Sequence, residues 1–315
     1  MSARVAVIDI GTNTLLLLIA ERQSDASGQP IAVALVEECQ FGRLGKGLDA
    51  SGELSAESIA TSLEILTHYR KRIDAYGVTH VVAIATQATR EARNAAAFTA
   101  PAERILATPL AVIAGEREAE LAARSVGTAL RSHALTRYVV MDVGGGSTEF
   151  IIVDHDKIER AVSLPIGAVR LTERFLHPVP PTGVASVAQT VALANFAETQ
   201  IAALQLPAGL PLIGTAGTAT TLAAVHLRLA HYDAEKVTGL ALTPPQVHQL
   251  TSSLATATIE ERIAMPGMVA QRADVIIGGA AIIDAAMLLT GAPQFIVCDR
   301  GIRWGMAYEA LGLNR

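Results

Sequence analysis

One short pattern occurs twice in this chain. A β-rich run, Arg4 to Ile8, breaks at Asp9-Ile10-Gly11-Thr12-Asn13, and Leu15 to Ala20 resumes it. The pattern returns as Tyr138-Val-Val-Met-Asp142-Val-Gly144-Gly145-Gly146-Ser147-Thr148-Glu149, leading into Phe150 to Val153. Each copy reads as strand, tight glycine turn, strand. The two aspartates, Asp9 and Asp142, lie 133 residues apart, about one domain length. Self-similarity at that spacing points to a duplicated, two-domain chain with one such turn per domain.

The remaining segments alternate between strand and helix, which selects an α/β fold. Ser55 to Tyr76 reads as an amphipathic helix, with Ile59, Leu63, Leu66 and Ile73 on one face and Gly77 as its stop. His80 to Ala85 reads as a buried strand, with a helix beginning near Thr89, and Gly115 to Leu130 reads as a further helix. Pro178 to Gly183 is expected to be a short loop ahead of a helix over Val184 to Leu206. A third Gly/Thr turn is expected over Gly214 to Thr221. It is followed by a helix over Ala280 to Leu289, a strand over Phe295 to Cys298 and a closing helix.

Composition narrows the function classes. The chain has 315 residues, 50% hydrophobic and 17% charged, enough to bury a core in each of two domains and too apolar for disorder. A net charge of −5 argues against a nucleic-acid or membrane-surface binder. Cys39 and Cys298 form neither a disulfide framework nor a zinc-ligand spacing, which suits a reducing cytoplasm. A mean hydropathy of +0.37 calls for a membrane check. The longest uncharged run, Thr199 to Leu227, is broken by Pro207, Gly209, Pro211, Gly214 and Gly217. Val5 to Ala20 is interrupted by Asp9 and Gly11 and offers no cleavage site. No membrane span and no signal peptide are expected.

The glycine turns carry the chemistry. Consecutive backbone N–H groups with no Cβ in the way form an anion site, and adjacent hydroxyls add donors. Gly144 to Thr148 is such a segment, with Asp142 before it and Glu149 after it. A phosphate held beside two carboxylates needs a cation between them, so Mg²⁺ is implied. A single such turn is more often a plain hairpin; three, each with Ser or Thr, favour an oxygen-rich ligand. Arginine supplies 21 of the 25 basic residues, and its planar fork grips phosphate oxygens in pairs. Arg90 follows a strand end and Arg272 precedes an apolar helix, although each taken alone reads more readily as a surface ion-pair partner than as a ligand clamp. Glu118 sits in the first turn of a helix, where acidic side chains also simply complement the helix dipole. The eight histidines have no metal-ligand spacing, and no Gly-x-Ser-x-Gly elbow, Walker loop or dinucleotide signature appears.

Eight segments in order resemble the exopolyphosphatase and guanosine pentaphosphate phosphohydrolase family. They are Asp9-Ile-Gly-Thr-Asn-Thr14, Arg43-Leu-Gly-Lys-Gly-Leu, Ala85-Thr-Gln-Ala-Thr-Arg90-Glu-Ala-Arg-Asn94 and Gly115-Glu-Arg-Glu118-Ala. They continue with Asp142-Val-Gly-Gly-Gly-Ser-Thr-Glu149, Leu164-Pro-Ile-Gly-Ala-Val-Arg-Leu, Gly214-Thr-Ala-Gly-Thr-Ala-Thr-Thr-Leu and Asp299-Arg-Gly-Ile-Arg303. The resemblance implies two ribonuclease-H-like domains of the actin, Hsc70 and sugar kinase superfamily flanking a cleft. The expected domains are 1–125 and 126–300, with a C-terminal helix over 301–315 packing back on the first. It further implies hydrolysis of a terminal phosphoanhydride.

Carried over by residue, Glu118 resembles the general base and Asp142 and Glu149 the Mg²⁺ carboxylates. Gly144, Gly145 and Ser147 would hold the attacked phosphate, with Asn13 and Thr14 on the opposite wall. Arg90 and Arg272 resemble clamps on polyphosphate oxygens, and Gly217 and Thr218 the phosphate turn of the second domain. The sequence departs from the family pattern at Ala114, Arg117, Ala216, Thr238 and Trp304. The expected activity is cytoplasmic release of orthophosphate from inorganic polyphosphate, with short chains favoured because an accessory C-terminal module is absent. Guanosine pentaphosphate hydrolysis is the alternative within the enzyme class, and a non-catalytic phosphate or nucleotide sensor the alternative outside it. No nucleic acid or membrane partner is expected, and a homodimer is left open.

Overall fold

The computed structural model describes residues 3–133, 135–155, 157–176 and 184–313. The chain divides into two units, Met1–Leu121 with Ile302–Arg315, and Ala122–Gly301.

The first unit is built on a five-stranded sheet of order β3-β2-β1-β4-β5. Its strands are β1 (Arg4–Ile10), β2 (Leu15–Ser24), β3 (Pro30–Gln40), β4 (Val81–Ala85) and β5 (Leu110–Val112). β1, β2 and β3 form an antiparallel meander, whereas β4 is parallel to β1 and β5 to β4. Parallel neighbours require crossovers, supplied by the helices Ala56–Ala75 and Ala96–Leu106. The first of these starts where Ser55 accepts the Ser58 N–H, and Gly77 follows it at φ 63°.

The strand alternation buries both faces of this sheet. Ala6, Ile8 and Ile10 pack with Leu66, Tyr69 and Phe98 on one side. Val5 and Val7 pack with Trp304, Tyr308 and Leu311 at the closing helix, Ile302–Ala310, on the other. The high hydropathy therefore reflects doubly covered strands. The sequence places Asp9 in the first turn, but β1 continues through it. Asp9 is paired with Leu16 on one side and Ile84 on the other, so the ladder overrides its low strand propensity. The turn itself is Gly11–Thr14, closed by the Gly11 N–H donating to the Thr14 carbonyl at 2.9 Å.

The second unit has a six-stranded sheet of order β10-β11-β9-β6-β7-β8. Its strands are β6 (Arg137–Val143), β7 (Thr148–Asp154), β8 (Lys157–Leu164), β9 (Leu212–Thr215), β10 (Ala241–Leu242) and β11 (Phe295–Val297). Again a three-stranded meander is followed by parallel strands, with β10 added antiparallel at the edge. The duplication read from two turns is thus a duplication of sheet topology. Val139, Met141, Val143, Phe150 and Ile152 face a core shared with the helices Val187–Ala202 and Ile276–Thr290.

Three sequence readings change. The third Gly/Thr segment is not a hairpin turn: β9 ends at Thr215 and the helix Ala216–His226 begins at once. β9 lies between parallel partners, so the chain must cross over rather than return. The helix after the expected Pro178–Gly183 loop starts at Val187, set by a Ser186–Gln189 capping box, and the loop lies outside the described residues. The strand β8 gives no apolar run because it is a sheet edge with exposed Lys157, Glu159 and Arg160.

Candidate active site

In the first unit the candidate residues gather at the C-terminal ends of parallel strands, where ligands bind in α/β sheets. Arg90 lies on the short helix Gln87–Glu91 that follows β4, and Glu118 in the first turn of the helix Gly115–Ala129 that follows β5. Parallel pairing of β4 with β5 brings the two together. Arg90 Nη1 donates to Glu118 Oε1 at 2.9 Å and to the Ile113 carbonyl at 2.6 Å. The Glu118 side chain is 8% exposed and that of Arg90 30%, so the carboxylate is largely withdrawn from water while the guanidinium reaches it. Asn13 and Thr14 sit on the β1–β2 turn at the same end of the sheet, both half-buried. That turn is tied to the segment after β4 by the Thr12 hydroxyl, which donates to Gln87 Oε1 at 3.0 Å.

In the second unit, Asp142 and Glu149 are directly paired across β6 and β7. Paired residues of an antiparallel ladder project from the same face, here the face opposite the Val139–Met141–Val143 core. Register extends the row in both directions. Thr215 on β9 pairs with Asp142, and Ser163 on β8 pairs with Glu149. The Ser163 hydroxyl donates to Glu149 Oε1 at 2.7 Å. Both carboxylates are buried, Glu149 to 1% exposure. Burial pushes the Asp142 carboxyl up to about 6, with the Thr215 hydroxyl working in the opposite direction.

The glycine turn between β6 and β7 is held from behind. The Gly144 N–H closes the hairpin by donating to the Ser147 carbonyl at 3.0 Å. That amide is therefore engaged within the turn rather than offered to an anion. The carbonyls of Gly144 and Gly145 accept from Ala168 and from Val169 and Arg170, at the start of the helix Ala168–Phe175. Gly167 makes this approach possible, since a Cβ there would meet the Gly145 carbonyl carbon and oxygen at 2.5 Å. The first unit repeats the device: Arg43 and Gly45 donate to the carbonyls of Asn13 and Thr12. These supports explain two of the shared segments, Arg43 to Leu48 and Leu164 to Leu171, which carry no candidate catalytic group. Ser163, Thr215 and Gly167 border the candidate residues directly, and none of them is singled out by the sequence alone. Gly167 and Thr215 lie inside two of the segments that carry the resemblance, but the pairing of Thr215 with Asp142, like that of Ser163 with Glu149, follows only from strand register.

Gly217, Thr218 and Arg272 also come together. Arg272 Nη1 donates to the Gly217 carbonyl at 3.0 Å and to Thr221 Oγ1 at 2.7 Å. A Cβ on Gly217 would meet that guanidinium at 2.4 Å, so this glycine admits the arginine. Thr218 is buried against Gly279, where a Cβ would meet its hydroxyl at 2.3 Å. Ala216 begins the helix at φ 64°, in the left-handed region that favours glycine.

The donor set of Asp142, Glu149 and the flanking hydroxyls contains only oxygen, and two carboxylates share one buried face. That chemistry fits a hard divalent cation such as Mg²⁺. Among the described residues no group of three or more His, Cys, Asp or Glu side chains is arranged around a metal position. Two carboxylates with water and substrate oxygens completing the shell is the usual manner in which Mg²⁺ is held.

Three of the departures from the family pattern make specific local contacts. Arg117 turns away from the neighbouring Glu118, pairing with Glu120 at 2.8 Å and with Glu309 of the closing helix at 2.5 Å. Trp304 is buried in the core under the first sheet and its Nε1 donates to Glu37 Oε2 at 3.3 Å. The Thr238 hydroxyl accepts the Asp299 N–H at 3.2 Å.

Comparison with known proteins identifies the family. The profile of the Ppx/GppA phosphatase family matches residues 20–314. The chain is 34% identical to exopolyphosphatase 2 of Mycobacterium tuberculosis over 98% of its own length and 99% of that protein. It is 26% identical to the guanosine-5'-triphosphate,3'-diphosphate pyrophosphatase of Vibrio vulnificus, covering 97% of this chain and 59% of that one. Among solved structures, the Ppx/GppA family member of Aquifex aeolicus aligns over 100% of both chains at 31% identity, with a TM-score of 0.81. A repeated β-meander sheet, glycine turns at corresponding places and a family match along nearly the whole chain lead to one conclusion: this chain belongs to the Ppx/GppA phosphatase family.

Proposed function

We propose that this chain is a cytoplasmic, divalent-cation-dependent exopolyphosphatase that releases terminal orthophosphate from inorganic polyphosphate by hydrolysis. The observation that carries the reading is the Asp142–Glu149 carboxylate pair beside the Gly144–Ser147 turn. It occurs in a chain 34% identical over its length to an exopolyphosphatase. Neither cysteine is in a disulfide, which suits a reducing compartment, and among the described residues no helix is long and apolar enough to cross a membrane.

Each residue has a physical task. Glu118 accepts the proton of the attacking water, and its shielded position keeps bulk water from competing for it. Arg90 holds that carboxylate through Nη1 and offers its remaining N–H groups to phosphate oxygens. Asn13, Thr14, Gly145, Ser147, Gly217, Thr218 and Arg272 bind and orient the phosphate chain, and Gly144, whose own amide and carbonyl are taken up, shapes the turn that carries Gly145 and Ser147. Asp142 and Glu149 would hold Mg²⁺ or a similar cation, which when bound neutralises charge on the phosphate oxygens. Phosphoryl transfer asks mainly for alignment and charge stabilisation, and these groups provide both.

The test is a set of side-by-side time courses of phosphate release from short polyphosphate, long polyphosphate and guanosine pentaphosphate, with and without EDTA. The expected result is metal-dependent release from polyphosphate. Faster turnover of guanosine pentaphosphate would make that nucleotide the substrate, and tight binding without release would make the chain a sensor.

A further inference from the structure

The row across the second sheet, Thr215–Asp142–Glu149–Ser163, is polar over four neighbouring strands. The corresponding row of the first sheet, aligned through Asp9, reads Ile84–Asp9–Leu16–Cys39. Duplication supplied the same backbone twice, yet only one copy has a second carboxylate, and only that copy has hydroxyls on both sides. A flexible Glu side chain at 1% exposure has several rotamers and gains little from water. The Ser163 hydroxyl, 2.7 Å from Glu149 Oε1, selects one orientation of that carboxylate.

The structure assigns Ser163 as a positioning residue that orients Glu149 for the cation. The assignment rests on the reading of Asp142 and Glu149 as cation-binding carboxylates. A hydrogen bond to a ligating carboxylate fixes its plane before the ion arrives, so less orientational freedom is lost on binding. The preference should extend to ion size, because a fixed carboxylate tolerates a larger ion less well.

The experiment is Mn²⁺ titration of the intact protein without substrate, with free Mn²⁺ read by electron paramagnetic resonance. Wild type is compared with Ser163→Ala, Ser163→Thr, Ser163→Cys and Glu149→Gln, each at a temperature well below its own melting point. Loss of outer-shell hydrogen bonds commonly costs about 10- to 100-fold in metal affinity. Ser163→Ala is expected to weaken Mn²⁺ binding by roughly tenfold or more, Ser163→Cys by less, and Ser163→Thr to stay near wild type. A purely structural serine would shift the melting temperature and leave Mn²⁺ affinity alone. Wild-type affinity in Ser163→Ala, alongside lost affinity in Glu149→Gln, overturns the role of Ser163 and leaves the carboxylate reading standing. Wild-type affinity in Glu149→Gln overturns both. Should Ser163→Ala fail to fold, Ser163→Cys carries the test, and unchanged Mn²⁺ affinity there overturns the assignment.

Discussion

Arg90 and Glu118 lie 28 positions apart in the chain and 2.9 Å apart in the structure, Nη1 to Oε1. The same nitrogen also holds the Ile113 carbonyl, so the ion pair is anchored to the backbone just ahead of the Glu118 helix. A carboxylate held this way is oriented in advance, which the proposed role of Glu118 as general base requires, and the guanidinium is a group that a phosphate oxygen can engage. Glu118→Gln should therefore cut turnover by about 10²-fold or more with little change in KM. Arg90→Met should lower kcat and raise KM together, by up to roughly 10²-fold in kcat/KM. Near-normal steady-state turnover in Glu118→Gln would remove that residue from the reaction.

Gly167 is the point at which the helix Ala168–Phe175 touches the Gly144–Ser147 turn. A methyl group there would meet the Gly145 carbonyl carbon and oxygen, both backbone atoms that cannot rotate away. Gly167→Ala should cost about 1–3 kcal/mol, as overpacking does. Because the displaced atoms belong to the turn, KM should rise beyond what the loss of folded protein explains. Melting curves and steady-state kinetics on the same samples separate the two effects, and unchanged values of both would contradict this packing.

Ala216 is a case where a substitution should help. Its φ of 64° places Cβ against the backbone, which costs an alanine roughly 1–2 kcal/mol. Glycine removes that cost but gains freedom in the unfolded chain, about 0.4–1 kcal/mol in the other direction. Ala216→Gly should thus stabilise by roughly 1 kcal/mol or less, seen as a rise of about 1–3 °C in Tm. A lowered Tm would argue against the left-handed conformation.

Asp142 makes stability depend on pH in the metal-free protein. Its carboxyl is pushed up to about 6 by burial, above the ordinary value of 3.8. The folded state then holds this proton more tightly than the unfolded one. Its stabilising effect is complete below the unfolded value, falls as pH rises from about 4 through about 6, and is gone above that. The full difference is roughly 3 kcal/mol. After EDTA treatment, Asp142→Asn should gain Tm relative to wild type as pH is raised from about 4 to about 7, across the whole of this window. A constant gap across that range would contradict the role of burial.

Local chemistry along the chain was enough to announce both glycine turns, the Ser55-capped helix and the closing helix, because each is specified by residues within a few positions. The turn residues, the caps and the runs of β-branched side chains act over one or two turns of chain. The resemblance of eight ordered segments then named Glu118, Asp142 and Glu149. It did not say what each segment does. That Leu164 to Leu171 props the glycine turn follows only from a carbonyl of Gly145 meeting amides more than twenty residues later.

What tertiary structure decided is register and partnership. Nothing near Asp142 in sequence reveals Thr215 and Ser163 as its row, since strand pairing is set by sheet order and a shift of one residue would turn each side chain to the other face. Nothing near Arg117 reveals Glu309, its partner 192 positions away on the closing helix. Helices, turns and the duplicated pattern were legible because their causes are local. The ion pair of Arg90 with Glu118, the polar row and the support of the glycine turns were not, because each depends on where parallel strands bring distant segments side by side.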